Sequence, residues 1–219
     1  MKATRISANA AALLAGALMA AACGTPQGKK SRLTVEQASE NAVKYPIPTA
    51  YEVVNLINRS GAAYIIEITN PTGRAESYLT EQDKALNLGV YSADLAYVTT
   101  YNMKQETMDY LKVLKKLSDE LHVSANFNAD LAHEVERNIE NKDSLINIIS
   151  RSFDETYSFL VNNGRDNISV QVLVGTWVEG LYIATYAATT SSNPEDLLQI
   201  VASQKQSLGT LREILEKNS

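Results

Sequence analysis

Apolar residues recur at spacings of three and four along almost the whole chain after residue 33, and strict polar–apolar alternation is nearly absent. This spacing places the apolar side chains on one face of an α-helix, whereas a half-buried strand requires alternation. Only five prolines occur, so long stretches are free of the residue that breaks a helix interior. The sequence therefore predicts an all-α fold, an antiparallel bundle of about six to eight helices joined by short loops.

Capping signals set the predicted helix boundaries. Thr80 with Asp83, and Asn141 or Asp143, are polar residues of the kind that cap helix N-termini. Asn193 followed by Pro194 starts the last helix, because proline is favoured at the first helical position. The composition of residues 62–69 is compatible with a strand, but a short buried helix is favoured among so many helices. The predicted helices cover residues 34–45, 49–60, 80–103, 105–122, 129–141, 141–163, 167–190 and 194 to the end.

The first 22 residues have the layout of a secretory leader. Lys2 and Arg5 precede a short alanine-rich apolar stretch, and three alanines lead directly to Cys23, the only cysteine. The boundary resembles a bacterial lipoprotein signal, in which the cysteine thiol is acylated, with palmitate among the chains, and the leader is removed. An ordinary A-x-A cleavage site remains the alternative, since alanine replaces the usual leucine three positions before the cysteine.

The leader divides the chain into three parts. Residues 1–22 form the signal peptide, residues 23–33 form a turn-rich tether, and residues 34–219 form one helical domain. No acidic residue follows Cys23 immediately, so we expect an outer-membrane lipoprotein that faces the periplasm. The formal net charge is −5, and −7 once Lys2 and Arg5 are removed. Such an acidic domain is not expected to bind nucleic acid.

Two helices are apolar around most of their circumference, which marks them as buried on several sides. The helix predicted over 80–103 contains the apolar stretch 85–97 with Gly89, and the helix predicted over 167–190 contains the apolar stretch 172–186 with Gly175. Glycine inside a helix costs about 1 kcal/mol relative to alanine, so each position suggests a close approach of another backbone. The local pattern around the two glycines is similar and 86 residues apart, which hints at a pseudo-repeat.

Each of these helices also carries one carboxylate, Asp94 or Glu179, which must find partners or change its protonation state when buried. Helical spacing aligns polar and aromatic side chains with both, and two such stripes facing each other can line a pocket for a small polar or aromatic ligand. The alternative is a satisfied polar layer in which these groups bond to each other, to Arg151 or to Lys84. The candidate pocket residues are Asn87, Tyr91, Asp94, Tyr101, Thr176, Trp177, Glu179 and Tyr182.

Sequence motifs for catalysis or cofactor binding are lacking. His133-Glu134 is followed by Arg137 where a zinc-protease helix requires histidine. No phosphate loop, nucleophile elbow or dinucleotide fingerprint occurs. We therefore expect no catalytic residue, no metal and no cofactor. An enzyme that uses the two buried carboxylates is the least favoured function.

Several segments resemble a family of uncharacterised helical bacterial envelope lipoproteins. They are residues 45–49 (YPIPT), 51–55 (YEVVN), 84–97 (KALNLGVYSADLAY), 141–146 (NKDSLI) and 177–182 (WVEGLY). The resemblance implies an envelope location and a helical fold, and it implies no activity or site residue.

Together these features predict a non-enzymatic binding or scaffold component that is held to the membrane by a lipid and has an envelope protein as a possible partner. The second prediction is a sensor-like bundle that binds a small ligand in a polar pocket between the Asp94 and Glu179 helices.

Overall fold

The computed structural model describes residues 50–123 and 129–217. The predicted leader, the tether, the helix over 34–45 and residue 49, where the next predicted helix starts, lie outside these residues. The described residues form no β-strand, and the all-α fold is confirmed. They contain two 3-10 helices, Ile66–Ile68 and Thr72–Ser77, and seven α-helices: α1 (Ala50–Arg59), α2 (Glu81–Thr100), α3 (Lys104–Glu120), α4 (Ala129–Arg137), α5 (Lys142–Asn162), α6 (Asp166–Thr190) and α7 (Pro194–Lys217).

Side-chain caps start two helices where the sequence predicts them. The hydroxyl of Thr80 accepts a hydrogen bond from the backbone N–H of Asp83 (3.0 Å) at the start of α2. The Asn141 side chain accepts one from the N–H of Ser144 (3.0 Å), which decides between the two predicted caps of α5. Each bond satisfies a backbone donor that has no partner within its own helix.

The structure corrects the prediction for residues 62–69. Instead of a short buried helix, only Ile66–Ile68 form a 3-10 turn, and Ile66 is exposed. The backbone of this region bonds to side chains of α2, which removes the need for a local helix. Residues 62–79, called segment 62–79 below, cross the outside of α2 as an irregular strap that includes both 3-10 helices.

The centre of the fold is the contact between α2 and α6, the most extensive contact between any two of the described elements. A Cβ added at Gly175 would lie 1.9 Å from the carbonyl oxygen of Leu86, and one added at Gly89 would lie 2.0 Å from that of Val172. Because both obstructing atoms are backbone, only glycine permits the two helices to touch at these positions. The contact is reciprocal under a shift of 86 residues, since Gly89 meets Val172 and Gly175 meets Leu86.

Helices α2 and α3 run antiparallel, as their short connection favours. Lys84 near the start of α2 pairs with Glu120 at the end of α3 (2.9 Å). The central pair is different, because α2 and α6 are parallel: Arg165, just before α6, pairs with Glu81 at the start of α2. Loop length does not predict this direction, since α2 and α6 are not consecutive in the chain.

The remaining helices cover this central pair. Helix α1 packs on α2 and α6, α5 contacts both of them, and α4 packs on α5. The central pair therefore lies in the core, and segment 62–79 covers α2 from outside.

Candidate functional site

Asp94 and Glu179 come together in the structure, as the sequence predicts. Asp94 of α2 is completely buried, and Glu179 of α6 is 8% exposed. The parallel direction of the two helices places the two carboxyl groups at the same level, close enough for Glu179 to raise the pKa of Asp94 electrostatically. The site is thus a buried pair of acidic groups between the two central helices.

Asn70 of segment 62–79 holds the pair. Its backbone N–H and its side-chain Nδ2 both donate hydrogen bonds to Oδ2 of Asp94, each at 3.1 Å. Its side chain also interacts with Glu179 and lowers the pKa of that group. Asn70 therefore fills the position in which a ligand was predicted.

One oxygen of each carboxyl group remains without a hydrogen-bond partner. These oxygens are Oδ1 of Asp94 and Oε1 of Glu179, and both atoms are buried. Burial raises the pKa of Asp94 to about 8, with repulsion from Glu179 as the second cause and the Asn70 bonds opposing both. Burial likewise raises the pKa of Glu179 to about 7. An ionised carboxylate is unfavourable in such a site, so the pair favours a bound proton near neutral pH.

Tyrosine hydroxyls attach segment 62–79 around the carboxyl pair. Tyr91 of α2 donates to the carbonyl oxygen of Pro71 (2.9 Å), and Tyr101 donates to that of Ala62 (2.7 Å). Tyr110 of α3 donates to the carbonyl oxygen of Asn70 (2.7 Å). Burial raises the pKa of all three phenols, so they are neutral donors at physiological pH.

The hydroxyl of Tyr97 has the opposite role, because it accepts a hydrogen bond from the N–H of Ile65 (2.9 Å). Tyr64 stacks on this ring at a centroid distance of 5.3 Å. The tyrosine-rich face of α2 therefore recognises the backbone of its own chain.

The other predicted pocket residues are separated from this centre. Asn87 donates to the carbonyl oxygen of Asp83 in its own helix (2.8 Å). Thr176 donates to the carbonyl oxygens of Val172 (2.9 Å) and Gly89 (3.2 Å), within the helix contact. Of the eight predicted residues, Tyr91, Asp94, Tyr101 and Glu179 surround segment 62–79, whereas Asn87, Thr176, Trp177 and Tyr182 do not.

Trp177 and Tyr182 of α6 contact other side chains. Trp177 faces α7, where its Nε1 donates to Oε1 of Gln204 (3.1 Å) beside a narrow crevice. Tyr182 is 47% exposed and contacts Tyr186 at a centroid distance of 6.1 Å. Neither side chain reaches the carboxyl pair.

The predicted cationic partners of the polar layer are also engaged elsewhere. Arg151 bonds to both oxygens of Glu134 (2.8 and 3.0 Å), and Lys84 pairs with Glu120. The polar layer that the structure shows differs from the predicted alternative: Asn70 is its main donor, and Oδ1 of Asp94 and Oε1 of Glu179 have no hydrogen-bond partner. Neither Asn70 nor Tyr110 is among the eight residues predicted from the sequence. The one sequence signal that pointed to such residues is general: a buried carboxylate needs a hydrogen-bond donor.

The solvent side of α6 forms a second unusual surface. Val178, Tyr182 and Tyr186 follow each other at a spacing of four residues and are 50%, 47% and 43% exposed. Asp166 and Glu179 are the only charged residues of α6, and neither lies on this stripe. We call these three side chains the α6 stripe.

Helix α6 is also the one described helix that is long and apolar enough to cross a membrane, and 44% of its apolar window is buried inside the fold. Its glycine contact with α2 accounts for that composition, since a core helix is apolar as well. Among residues 50–123 and 129–217, no group of three metal-binding side chains comes together.

Comparisons with protein-family models, with curated proteins and with solved structures find no match to this chain. The resemblance to envelope lipoproteins therefore stays a prediction. The function has to be argued from the two surfaces described above, the carboxyl pair under segment 62–79 and the α6 stripe.

Proposed function

We propose that the chain is a lipid-anchored, non-enzymatic module on the periplasmic side of the outer membrane, and that it binds another envelope protein through the α6 stripe. The exposed stripe is the observation that carries this proposal. A solvated helix face normally presents charged side chains, whereas this one presents a valine and two tyrosines. Tyrosine is enriched at protein interfaces because its ring is apolar and its hydroxyl finds a polar partner.

The 86-residue shift that relates the two glycine contacts supports the choice of partner. The residues 86 positions before those of the α6 stripe are Ser92, Ala96 and Thr100 of α2. They are 2%, 0% and 1% exposed. That equivalent face lies in the interior of the bundle, on a helix that packs against α3 and α5. The α6 stripe is therefore an uncovered counterpart of a face that is buried among helices, and we propose that an amphipathic helix of the partner covers it.

A photo-crosslinking amino acid at position 182 in the bacterial envelope tests this proposal. The matched control carries the same amino acid at position 198, since Leu198 is 56% exposed on α7. We expect one discrete protein adduct from position 182 and none from position 198. Equal adduct patterns at both positions, or adducts with lipid alone from position 182, would refute binding of a protein through the stripe.

The second candidate function is small-ligand binding beside Asp94 and Glu179. The observation in its favour is the pair of unpartnered oxygens, which a cationic group of a ligand would satisfy. This function requires segment 62–79 to move, because Asn70 occupies the site. Native mass spectrometry of protein purified from envelopes tests it. A small bound mass that is retained by the parent and lost in Asp94→Asn would support this function over protein binding alone.

A further inference from the structure

We propose that a groove between α1 and α7 binds the carboxylate end of a short peptide whose last residue is apolar. The groove has a volume of about 470 Å³, within the range of about 300–1,000 Å³ that is usual for small-molecule sites. None of its lining residues belongs to the α6 stripe or to the carboxyl pair, so this site goes beyond the proposed partner binding. The lining residues are Leu56, Arg59, Ser60, Gln199, Ile200 and Ser203.

The groove lies beside the point where α1 is attached to the start of α7. Ser191, which ends α6, donates a hydrogen bond from its hydroxyl to the carbonyl oxygen of Ser60, just beyond the last residue of α1 (3.1 Å). Helix α1 packs mainly on α2 and α6, and its contact with α7 is slight. A space therefore remains between α1 and α7, with the buried Ser60 on its inner side and Leu56, which is 43% exposed, at its rim.

Arg59 gives the groove its charge. It is the last residue of α1, it is exposed, and it forms no ion pair with any carboxylate whose side chain the structure describes. None of the other five lining residues is charged, although the whole chain has a net charge of −5. A guanidinium in these surroundings is available to bind a carboxylate through two parallel N–H donors.

The hydroxyl groups in the groove favour a ligand that donates hydrogen bonds. Ser60 donates from its hydroxyl to the carbonyl oxygen of Ile57 (2.7 Å), and Ser203 donates to that of Ile200 (2.6 Å). Each hydroxyl oxygen also receives one long contact of 3.4 Å from a neighbouring side chain. Since the single hydrogen is used and one of the two lone pairs is left, each oxygen is an acceptor toward a ligand.

Leu56 and Ile200 supply the apolar wall. Ile200 also borders the narrow crevice beside Trp177, so the wall continues into the bundle. The groove thus combines a cation, two acceptors and an aliphatic surface. The end of a peptide has the matching groups, namely a carboxylate, backbone N–H groups and an apolar side chain. A fatty acid has no N–H group for the two hydroxyl oxygens, so a peptide is the better match.

Titration of the purified mature protein with N-acetyl-alanyl-leucine, followed by NMR of the backbone amides, tests the site. We expect saturable shifts of amide signals from residues 56–60 and 199–203, with signals from α5 as the internal control. The matched ligand is the C-terminal amide of the same dipeptide, which lacks only the negative charge. We expect this amide to bind about tenfold or more weakly, because a hydrogen bond to a charged group typically contributes at least that factor.

Two variants locate the binding. Arg59→Gln should weaken binding of the dipeptide by about tenfold or more. Arg212→Gln is the matched control, because Arg212 is an exposed arginine of α7 that pairs with Glu216 (3.2 Å), and it should bind as the parent does. Ser203→Leu is the second variant, since Ser203 is exposed and a larger side chain there would fill the groove.

Four results would overturn the proposal. The first is a parent protein without saturable shifts in residues 56–60 and 199–203. The second is equal affinity for the dipeptide and its amide. The third is undiminished affinity in Arg59→Gln, or the same loss in Arg212→Gln. The fourth is binding of 4-methylpentanoate as tight as that of the dipeptide, because this acid keeps the carboxylate and the leucine side chain without an N–H group.

Discussion

Replacing Gly175 by alanine tests the central contact of the fold. The added Cβ would lie 1.9 Å from the carbonyl oxygen and 2.9 Å from the carbonyl carbon of Leu86. An ordinary contact requires at least about 3.4 Å, so α2 and α6 must move apart by more than 1 Å at their crossing. Gly180 provides a matched control on the same helix, because a Cβ added there meets no atom within 4 Å.

The magnitude follows from two opposing effects. Alanine is favoured over glycine in a helix interior by about 1 kcal/mol, which applies to both variants. Overpacking typically costs about 1–3 kcal/mol and more where the obstruction cannot rotate away, as with a backbone carbonyl. We therefore expect Gly175→Ala to lower the free energy of unfolding by about 2 kcal/mol and Gly180→Ala to raise it by up to about 1 kcal/mol.

Urea denaturation followed by circular dichroism measures both free energies. For a domain of this size, a loss of about 2 kcal/mol corresponds to a decrease in Tm of about 4–8 °C. Combining Gly89→Ala with Gly175→Ala should cost less than the sum of the single changes, because the helices have already separated. Equal stability of Gly175→Ala and Gly180→Ala would refute the backbone contact between α2 and α6.

Three further predictions concern the carboxyl pair, the tyrosines and the anchor. The pKa of Asp94 is raised in the folded state, so the native protein binds more protons than the unfolded chain between about pH 4 and 8. The free energy of unfolding should therefore fall by up to about 1.4 kcal/mol per pH unit as pH rises through this range. Urea titrations at several pH values should show a weaker dependence of this free energy on pH in Asp94→Asn. The same dependence on pH in parent and variant would contradict the raised pKa of Asp94. Tyr110→Phe leaves the partly buried carbonyl oxygen of Asn70 without its donor and should lower the free energy of unfolding by about 1–2 kcal/mol in urea denaturation. Tyr182→Phe, at an exposed position, should change it by less than about 0.5 kcal/mol. Similar losses in both variants would contradict the different roles of the two rings. Cys23→Ser should move the protein from the membrane fraction to the soluble periplasm in cell fractionation, and an unchanged distribution would exclude lipidation.

The helices could be predicted because their determinants are local. The spacing of apolar side chains and caps such as Thr80 and Asn141 depend on residues a few positions apart. Interior glycines also indicated a close helix contact, since their conformational cost needs a compensating reason. The reciprocal approach at Gly89 and Gly175 agrees with that expectation.

The candidate site was predicted only in part. Asp94 and Glu179 were recognisable because a carboxylate on an apolar helix needs a partner, and they do meet. The partner itself, Asn70, was not predictable from helical spacing, because it lies on an irregular strap that reaches α2 from outside. The same spacing wrongly grouped Trp177 and Tyr182 with the site, since it does not show which neighbour covers each face of α6.

The sequence alone determined the helical class, most helix boundaries and two buried helices with one acidic group each, because period, caps and composition act over a few residues. The tertiary structure decided that α2 and α6 run parallel, that Asn70 rather than a cation holds the carboxyl pair, and that one face of α6 remains uncovered. These features depend on contacts between residues far apart in the chain, and the partners in such contacts are set by how whole elements pack together.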